Sequence, residues 1–384
     1  MPKAIFVHAA ADLYGSDLVC LRVVQGARAA GWDVDVTVPS DGPLVSSLRA
    51  EGAGVLRVDP LKPRRADLRP ARLPSTLARW IRNYRALRGL RAGDYDLVYT
   101  TTAPTTGGAL LARWLDVPHV YHVHEIFWFP KPLVRGFERM VRTADVVLCC
   151  SRAVLDQFTD QALRRRSRVV YSGAEVPAGI DERSPLSDDS LRIVCVARLN
   201  EWKGQEVLIE AIPLLERGTE NVSVRLIGDV FSMYGTERQY RDGLVERVRA
   251  LGLGDVVHFE GERRDALAVV AQADVFVLPS RRPEPFGMAL VEAMALGRPV
   301  VATEAGGPLE IVTDGVDGVL VAPGDPAALA SAIDHMVRDP EWARRLADQA
   351  RRRASDFTSQ TMVTQVLAAF GDAIAARGRG TDRS

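Results

Sequence analysis

Short apolar runs alternate with longer helical segments along nearly the whole chain, and this alternation restricts the fold more than any other feature. The runs are rich in β-branched and aromatic residues and end in turn formers, which predicts strands separated by helices. A repeated β-α-β order gives a largely parallel sheet with helices on both faces. In the first half, strands are predicted at 4–9, 34–39, 55–60, 96–101, 119–124, 146–151 and 168–173.

The pattern is interrupted at residues 174–190, where proline, glycine and small polar residues predict a linker. For 384 residues, two or three domains are expected. The interruption favours two α/β domains, residues 1–180 and 190–358, and a helical pattern follows at about 360–376. Because ligands bind beyond the carboxyl ends of parallel strands, we expect the site in a central cleft between two facing domains. The second series of strands is predicted at 192–197, 223–228, 256–261, 275–280, 299–304 and 318–323.

Charge and cysteine content exclude several classes of protein. Lys+Arg and Asp+Glu both number 49, so the net charge is zero, which argues against a dedicated nucleic-acid binder. No stretch approaches the roughly 18 apolar residues of a membrane span, and the start resembles a buried strand more than a signal peptide. The spacing of the cysteines predicts neither a zinc site nor a disulfide framework. We therefore expect a cytoplasmic protein with reduced thiols.

Residues 278–312 are the most informative stretch. A strand ends at Pro279, a polar loop follows, and a helix is predicted to begin near Phe286. The N–H groups of Phe286, Gly287 and Met288 would then be free at the start of the helix, where the helix dipole favours an anion. This arrangement predicts a phosphate site.

Two carboxylates flank that helix start. Glu284 lies in the loop before the helix and Glu292 lies two turns inside it, about 9 Å along the axis. This separation suits two carboxylates that hold opposite ends of a nucleotide-sugar with the diphosphate between them. A pair of glutamates at this spacing is also common by chance, so a solvated loop residue and a helix-surface residue are the alternative.

Two further loops follow strands. Arg198 and Lys203 come after the first strand of the second half, where two cations can neutralise a diphosphate; ordinary surface cations are the alternative. Gly15 follows the first strand of the chain, in a turn that could bring backbone N–H groups to a phosphate or merely start a helix. The G-x-G-x-x-G pattern of dinucleotide-binding proteins is absent.

Three of the six histidines lie in PHVYHVHEIFW. His124 falls at the carboxyl end of the predicted strand, where an imidazole can hydrogen-bond a sugar hydroxyl or a leaving phosphate. His122 fits a core histidine whose hydrogen bonds are satisfied inside the protein. The H-x-H pair lacks a third metal ligand at short range, so no metal site is predicted.

Together these stretches resemble the family 4 retaining glycosyltransferases, whose GT-B fold consists of two facing Rossmann-like domains. The resemblance is densest over 192–335, in VARLNEWKG, PSRRPEPFGMALVEAMALGRPVVAT, GGPLEIV and DGVDGVLVAPGDPAALASAI. The amino half is similar through YGSD, HVHE, ADVVLCCSRAV and VVYSGAEVP. In this fold the last helix crosses back onto the first domain. Where many members have a Gly-Gly pair in the first loop, this chain has Tyr14-Gly15-Ser16.

The resemblance also implies roles for individual residues. Arg198 and Lys203 would hold the donor diphosphate, with the amides of Phe286, Gly287 and Met288 completing the phosphate site. Glu292 would bind the ribose hydroxyls, and Glu284 would bind a hydroxyl of the donor sugar. Gly15 would lie in the loop that closes over the donor, and His124 would lie beside the transferred sugar.

The implied activity is metal-independent transfer, with retention, of a sugar from a nucleoside-diphosphate sugar to an acceptor hydroxyl. We expect a role in cell-envelope polysaccharide or glycolipid assembly. A natural-product glycosyltransferase with a small soluble acceptor is the alternative enzyme. A non-catalytic nucleotide-sugar-binding protein is the alternative from another class, and a Rossmann oxidoreductase would need the missing dinucleotide pattern.

The zero net charge divides unevenly, with +5 in residues 1–190 and −5 in residues 191–384. Residues 57–91 hold eleven basic residues against Asp59 and Asp67, and LARWIRNYRALRGLR forms an amphipathic helical pattern. Such a helix can lie on an anionic membrane and meet a lipid-linked acceptor, which would place the enzyme at the inner face of the membrane. Packing of the apolar stripe on the sheet is the competing interpretation.

Overall fold

A computed structural model describes residues 1–59, 73–91, 93–102, 105–128, 131–230 and 235–381. The chain forms two compact units, Met1–Gly173 with Ser359–Ser384, and Ala174–Thr358. Each unit is built on one parallel sheet, of seven strands in the first and six in the second, so the predicted α/β class with two Rossmann-like domains is confirmed. Within the described ranges, no helix is both long and apolar enough to span a bilayer.

The first unit alternates strands and helices as predicted, and each of the seven predicted strands is present. Its elements are β1 (Lys3–Val7), α1 (Gly15–Ala29), β2 (Asp33–Val38), α2 (Pro43–Ala50), β3 (Gly54–Arg57), α3 (Leu73–Arg88), β4 (Leu97–Thr101), α4 (Thr106–Leu115), β5 (His119–Val123), α5 (Lys131–Val141), β6 (Val146–Cys149), α6 (Arg152–Asp156), α7 (Gln161–Arg166), β7 (Ser167–Val169) and, from the end of the chain, α15 (Ser359–Thr381).

The first sheet has the strand order β3-β2-β1-β4-β5-β6-β7. Because crossovers between parallel strands are right-handed, α1 and α2 cover one face and α3, α4 and α5 cover the other. The helix α15 packs on the first face beside α1, where Phe370 contacts the rings of Phe6 and Tyr99. A Cβ on Gly26 of α1 would lie 2.1 Å from Val363, so glycine permits this close helix contact.

The second unit contains the six strands predicted for the second half of the chain. Its elements are β8 (Leu191–Val196), α8 (Gln205–Ala211), β9 (Val222–Ile227), α9 (Gly235–Ala250), β10 (Val257–Gly261), α10 (Ala266–Ala271), β11 (Val275–Leu278), α11 (Met288–Ala295), β12 (Val300–Thr303), α12 (Pro308–Ile311), β13 (Val319–Val321), α13 (Pro326–Arg338) and α14 (Pro340–Ala354), with 3₁₀ turns at Glu201–Lys203 and Ile212–Leu214.

The second sheet has the order β10-β9-β8-β11-β12-β13. In both sheets the order reverses beside the unit's first strand, between β1 and β4 and between β8 and β11. Loops that leave neighbouring strands at such a point diverge to opposite faces and open a crevice where ligands bind. The topology therefore gives each unit one expected ligand-binding edge.

Residues 174–190, predicted as a linker, are packed into the second unit. The backbone N–H of Ala174 donates to Phe357 O at 2.9 Å. Farther along, the buried Asp274 carboxylate accepts from the Arg183 guanidinium at 2.8 Å and from the backbone N–H of Leu186 at 2.7 Å. These bonds explain why the units divide at residue 173, earlier than the predicted end of the first domain at 180.

Candidate functional site

In the second unit, the loops that follow β8 and β11 are held together by their backbones. The N–H of Arg281 donates to Trp202 O at 2.9 Å. Gly204 has φ +70°, and a Cβ there would lie 2.1 Å from the carbonyl oxygen of Pro279. Glycine is therefore required at 204 by both its left-handed conformation and its close approach to the second loop.

Lys203 and Glu284, predicted separately from these two loops, form an ion pair. Lys203 Nζ lies 2.7 Å from Oε1 and 3.0 Å from Oε2 of Glu284, and the Ser280 hydroxyl also donates to Glu284. The side chains of Lys203 and Glu284 are 17% and 3% exposed. The ammonium also lies 4.1 Å from the centroid of the Trp202 ring. A nearly buried carboxylate is thus compensated by one ammonium and one hydroxyl.

A third loop, after β12, supports Glu284 through two glycines. The Glu284 N–H donates to Ala305 O at 3.1 Å, and the Gly307 N–H donates to Glu284 O at 2.8 Å. A Cβ on Gly306 would lie 2.2 Å from Glu284 O, and one on Gly307 would lie 2.1 Å from Phe286 O. The Gly-Gly pair therefore lets two loop backbones touch and fixes the carboxylate's position.

Arg198 follows β8, in the same loop as Lys203. Its Nε lies 3.8 Å from Glu237 Oε1 on α9, and its carbonyl oxygen accepts from the Gln205 side chain at 3.0 Å. Burial raises the pKa of the Cys195 thiol, at the end of β8, to about 12. That cysteine is consequently a neutral core residue at physiological pH.

The helix predicted to begin near Phe286 begins instead at Met288, because Gly287 precedes it with φ +113°. The N–H groups of Leu290 and Val291 donate to Gly287 O, so the amides at the helix start without intrahelical acceptors are those of Gly287, Met288 and Ala289. Phe286 is buried, with its ring 5.7 Å from that of Phe357. Glu292 lies one turn inside α11, about 6 Å along the axis from Met288, rather than two turns and 9 Å.

In the first unit, the loop after β1, the first turn of α1 and the end of β4 bring together a buried polar cluster that we name the His8 cluster: His8, Asp17 and Thr101. His8 Nε2 lies 2.8 Å from Asp17 Oδ1, and His8 Nδ1 hydrogen-bonds the Thr101 hydroxyl. Burial by itself disfavours the imidazolium, but Cys20 and Asp17 outweigh it and raise the pKa of His8 to about 10. Asp17 also accepts from the backbone N–H of Tyr14 at 3.1 Å, which ties the cluster to the start of α1.

His124 directly follows β5, at the predicted carboxyl edge of the sheet. Burial, and after it the charge of His8, lowers the pKa of His124 to about 3, so its imidazole is neutral at physiological pH. Its buried Nε2 has no hydrogen-bond partner among the described residues. Nδ1 of the neighbouring His122 forms a 2.7 Å hydrogen bond with the Tyr99 hydroxyl, as expected for a core histidine. The Nε2 of His122, like that of His124, has no hydrogen-bond partner among the described residues.

Gly15 is the first residue of α1, not part of a flexible turn that ends β1. Its φ is not in the left-handed region, and a Cβ there would meet no atom within 4 Å. The backbone conformation therefore does not require glycine at this position. The open space beside Gly15 is compatible with a ligand near the helix start, which stays a prediction. The helix start itself is held by Asp17.

Several residues of these sites were not predicted from the sequence. Gly306 approaches Glu284 from a separate loop, and Thr101 meets His8 across 93 residues. Ser280, by contrast, lies only four residues before Glu284. One local signal existed for Asp17, because an acidic residue three positions after a helix N-cap commonly binds the backbone there. Another existed for the Gly-Gly pair after β12, which marks a close approach of two backbones.

Two family profiles match consecutive parts of the chain. The profile described as "Glycosyltransferase Family 4" matches residues 15–176, and the one described as "Glycosyl transferases group 1" matches residues 179–353. The boundary between them lies close to the division between the two units.

Individual proteins show the same relationship. Glycogen synthase of Mycobacterium tuberculosis is 32% identical over 273 residues, which are 66% of this chain and 63% of that protein. D-inositol 3-phosphate glycosyltransferase of Salinispora arenicola is 30% identical over 77% of this chain and 72% of its own length. Among solved structures, Anabaena HepE in complex with UDP and glucose has a TM-score of 0.80 and 26% identity, covering 97% of this chain and all of that one.

Proposed function

The chain belongs to the group 1 glycosyltransferases, and we propose that it transfers a sugar, with retention and without a metal, from a nucleoside-diphosphate sugar to an acceptor hydroxyl. The observation that carries the proposal is the Lys203–Glu284 pair beside the start of α11, where a cation, a carboxylate and backbone amides share one edge of the second sheet. Anabaena HepE, similar over 97% of this chain, has been solved with UDP-glucose as well as with UDP and glucose.

The proposed chemistry follows the charge that develops during the reaction. As the bond between the sugar and the diphosphate breaks, negative charge grows on the leaving nucleoside diphosphate. Arg198, Lys203 and the amides at the start of α11 (Gly287, Met288 and Ala289) are arranged to stabilise that charge before it forms. An ammonium group has three donors, so Lys203 can contact a phosphate oxygen while it remains bound to Glu284. No metal is required in this scheme.

The carboxylates and His124 are proposed to hold the sugar and ribose. Glu284, held beside Lys203, accepts a hydrogen bond from a hydroxyl of the donor sugar, and Glu292 accepts from the ribose. His124 is neutral and offers its Nε2 to the transferred sugar. Retention of the anomeric configuration is part of the proposal, and the acceptor oxygen replaces the diphosphate on the same face of the sugar.

The acceptor is proposed to be a carbohydrate or glycolipid of the cell envelope, met by a cytoplasmic enzyme at the inner face of the membrane. A lipid-linked acceptor requires contact with a bilayer, and the basic segment 57–91 is the part of the sequence that supports it. Residues 60–72 of that segment lie outside the described residues. A small soluble acceptor is the alternative.

Ligand-induced thermal stabilisation tests the donor class directly. The purified protein is heated with UDP, GDP, dTDP or NAD, in the presence and absence of EDTA. We expect one nucleoside diphosphate to raise the melting temperature and EDTA to have no effect. At a concentration 100 times Kd, the ligand adds about 2.7 kcal/mol to the free energy of unfolding. Stabilisation by NAD alone would overturn the proposal. Release of the same nucleotide from its sugar conjugate, with the product's anomeric configuration read by NMR, distinguishes a transferase from a binding protein.

A further inference from the structure

The helices α3, α4 and α5 pack side by side over one face of the first sheet. Their inner sides are apolar: Leu87 of α3 and Leu111 and Leu115 of α4 are buried in one cluster with strand residues, and Trp80 packs against it. Part of the apolar stripe of the basic segment therefore packs on the sheet, as one of the two interpretations of the sequence predicted.

The outer sides of the same helices are also apolar, which packing on the sheet does not explain. Leu77 and Ile81 lie one turn apart on α3 and are 61% and 43% exposed. Leu110 and Trp114 lie one turn apart on α4 and are 45% and 43% exposed, and Leu133 in the first turn of α5 is 47% exposed. Spacing of four residues places each pair on one side of its helix.

The exposed charged residues within these three helices are all basic, while Asp59 pairs with Arg79 of α3 and Asp116, just after α4, pairs with Arg377. Helix α3 carries four arginines and no acidic residue, and α4 carries Arg113 and no acidic residue. The single acidic residue of α5, Glu138, is buried and accepts from the Thr159 hydroxyl at 2.7 Å. The exposed Arg82 and Arg85 have no ion-pair partner in the part of the chain that the structure describes.

One contact joins two of the helices on this outer side. The guanidinium of Arg88, at the end of α3, lies 4.0 Å from the centroid of the Trp114 ring on α4. In addition, the Trp114 indole N–H donates to Leu90 O at 3.2 Å. The exposed indole is thereby fixed against the arginines of the neighbouring helix, so apolar and basic groups share a surface.

Exposed leucines of the second unit lack this charge pattern. Leu251 follows α9, whose sequence GTERQYRDGLVERVRA contains three acidic residues among its basic ones. Leu214, in a 3₁₀ turn, is followed by Glu216. An exposed apolar residue is ordinary by itself. What distinguishes the first unit is that its apolar stripes lie beside arginines, Arg82 and Arg85, for which the described ranges contain no ion-pair partner.

We propose that the outer side of α3–α5, the α3–α5 face, docks on an anionic lipid bilayer. The face is defined by Leu77, Ile81, Leu110, Trp114 and Leu133 with the exposed arginines of the three helices. Apolar side chains enter the boundary between headgroups and acyl chains, while arginines contact lipid phosphates. A positive apolar surface complements an anionic bilayer, whereas a second copy of the chain would oppose positive charge with positive charge.

The docked orientation has a consequence for the carboxyl edge of the first sheet, where His124 lies. Helices that follow parallel strands start at the carboxyl edge of the sheet, so the first turns of α3–α5 lie at the edge that also carries His124. Trp128, 51% exposed, lies between His124 and α5. Docking through the α3–α5 face would bring that edge to the membrane surface, where the headgroup of a lipid-linked acceptor lies.

Vesicle flotation tests the docking without nucleotide or acceptor, so its failure would leave the proposed glycosyl transfer intact. The protein is mixed with phosphatidylcholine vesicles, with and without one third phosphatidylglycerol, at about 0.05 M and about 0.5 M salt. We expect binding at least about tenfold stronger to the anionic vesicles, and weaker binding at high salt. Absence of binding to anionic vesicles at low salt would overturn the proposal.

Matched double variants locate the surface. Leu77→Ser/Ile81→Ser and Arg82→Gln/Arg85→Gln should each reduce binding to anionic vesicles by about tenfold or more at an unchanged melting temperature. Leu214→Ser/Leu251→Ser removes two exposed leucines from the second unit and should bind as the unchanged protein does. Equal binding by all three variants would overturn the assignment to this face.

Two further measurements distinguish insertion into a bilayer from dimerisation of the chain. Quenching of Trp fluorescence by brominated anionic lipids, lost on Trp114→Phe substitution, would support insertion of the α3–α5 face. Sedimentation that shows a dimer abolished by Leu77→Ser/Ile81→Ser, with no vesicle binding by the unchanged protein, would replace the bilayer by a second copy of the chain and overturn the proposal.

Discussion

A Lys203→Met substitution keeps the length and most of the volume of the side chain and removes its charge. In the structure this ammonium contacts both oxygens of Glu284, whose side chain is only 3% exposed. After the substitution, the Ser280 hydroxyl is the remaining donor to that carboxylate among the hydrogen bonds described above. The variant therefore tests two contributions of Lys203 at once, the compensation of a buried charge and the proposed stabilisation of the leaving diphosphate.

The expected loss of stability follows from burial. Removal of one partner of a buried ion pair costs about 3–5 kcal/mol, because the other charge stays uncompensated. Lys203 retains 17% exposure, so water reaches the site and we expect the lower end, about 3 kcal/mol. A change of 1 kcal/mol shifts the melting temperature of a unit of this size by about 2–4 °C, which gives a decrease of about 6–12 °C. Turnover should fall by about 10²–10³ if Lys203 stabilises the developing charge.

Calorimetry and a turnover assay on three variants separate these contributions. Lys203→Met/Glu284→Gln removes both charges, so we expect it to be more stable than Lys203→Met by about 2 kcal/mol. Its turnover should stay low, since neither the diphosphate cation nor the carboxylate is restored. If the double variant is no more stable than the single one, the loss does not come from an uncompensated carboxylate. If Lys203→Met turns over within about twofold of the unchanged enzyme at an unshifted melting temperature, the reasoning about this pair is wrong.

Three other predictions rest on local geometry. The pKa of His8 is raised from 6.5 to about 10, so its pairing with Asp17 stabilises the fold fully below pH 6.5 and not above pH 10. Urea denaturation of Asp17→Asn should accordingly show a loss of about 1–3 kcal/mol at pH 6 that shrinks by pH 10, and an equal loss at both would exclude the linkage. Gly306→Ala places a Cβ 2.2 Å from a backbone oxygen at φ +75° and should lower the free energy of unfolding by about 3 kcal/mol or more. The control Gly315→Ala has a similar φ of +69° but no atom within 4 Å of the new Cβ, so it should lose only about 1–2 kcal/mol. Equal melting temperatures for the two variants would refute the contact at Gly306. Glu292→Gln should weaken binding of the preferred nucleoside diphosphate by about tenfold in calorimetric titration, and unchanged affinity would remove Glu292 from the ribose site.

Local sequence patterns predicted the elements of the fold well. All the strands of both units were predicted, because a strand buried on both faces must be apolar along a short run, and that requirement is visible in any window of the sequence. The order of those strands was not visible in the same way. It depends on which strands pair across the sheet, and only the assembled sheet shows the reversals beside β1 and β8 that place the sites.

The start of α11 shows the limit of a local pattern. Glycine is compatible with both a helix and a left-handed turn, so the residues around Gly287 allow a helix start at either 286 or 288. The structure selects Met288, with Gly287 at φ +113°, and thereby shifts the amides that can face a phosphate. The prediction of an anion site remains, with different amides and a shorter distance to Glu292.

The candidate residues could be selected from the sequence because polar groups that follow buried strands are few and chemically distinctive. Their partners could not. Lys203 meets Glu284 across 81 residues, and His8 meets Thr101 across 93. Hydrophobic periodicity reports whether a side chain faces the core or the solvent, but it carries no information about which distant segment lies opposite. That choice is made when the whole sheet and its covering helices pack, and for this reason the charge compensation of each site belongs to the tertiary structure alone.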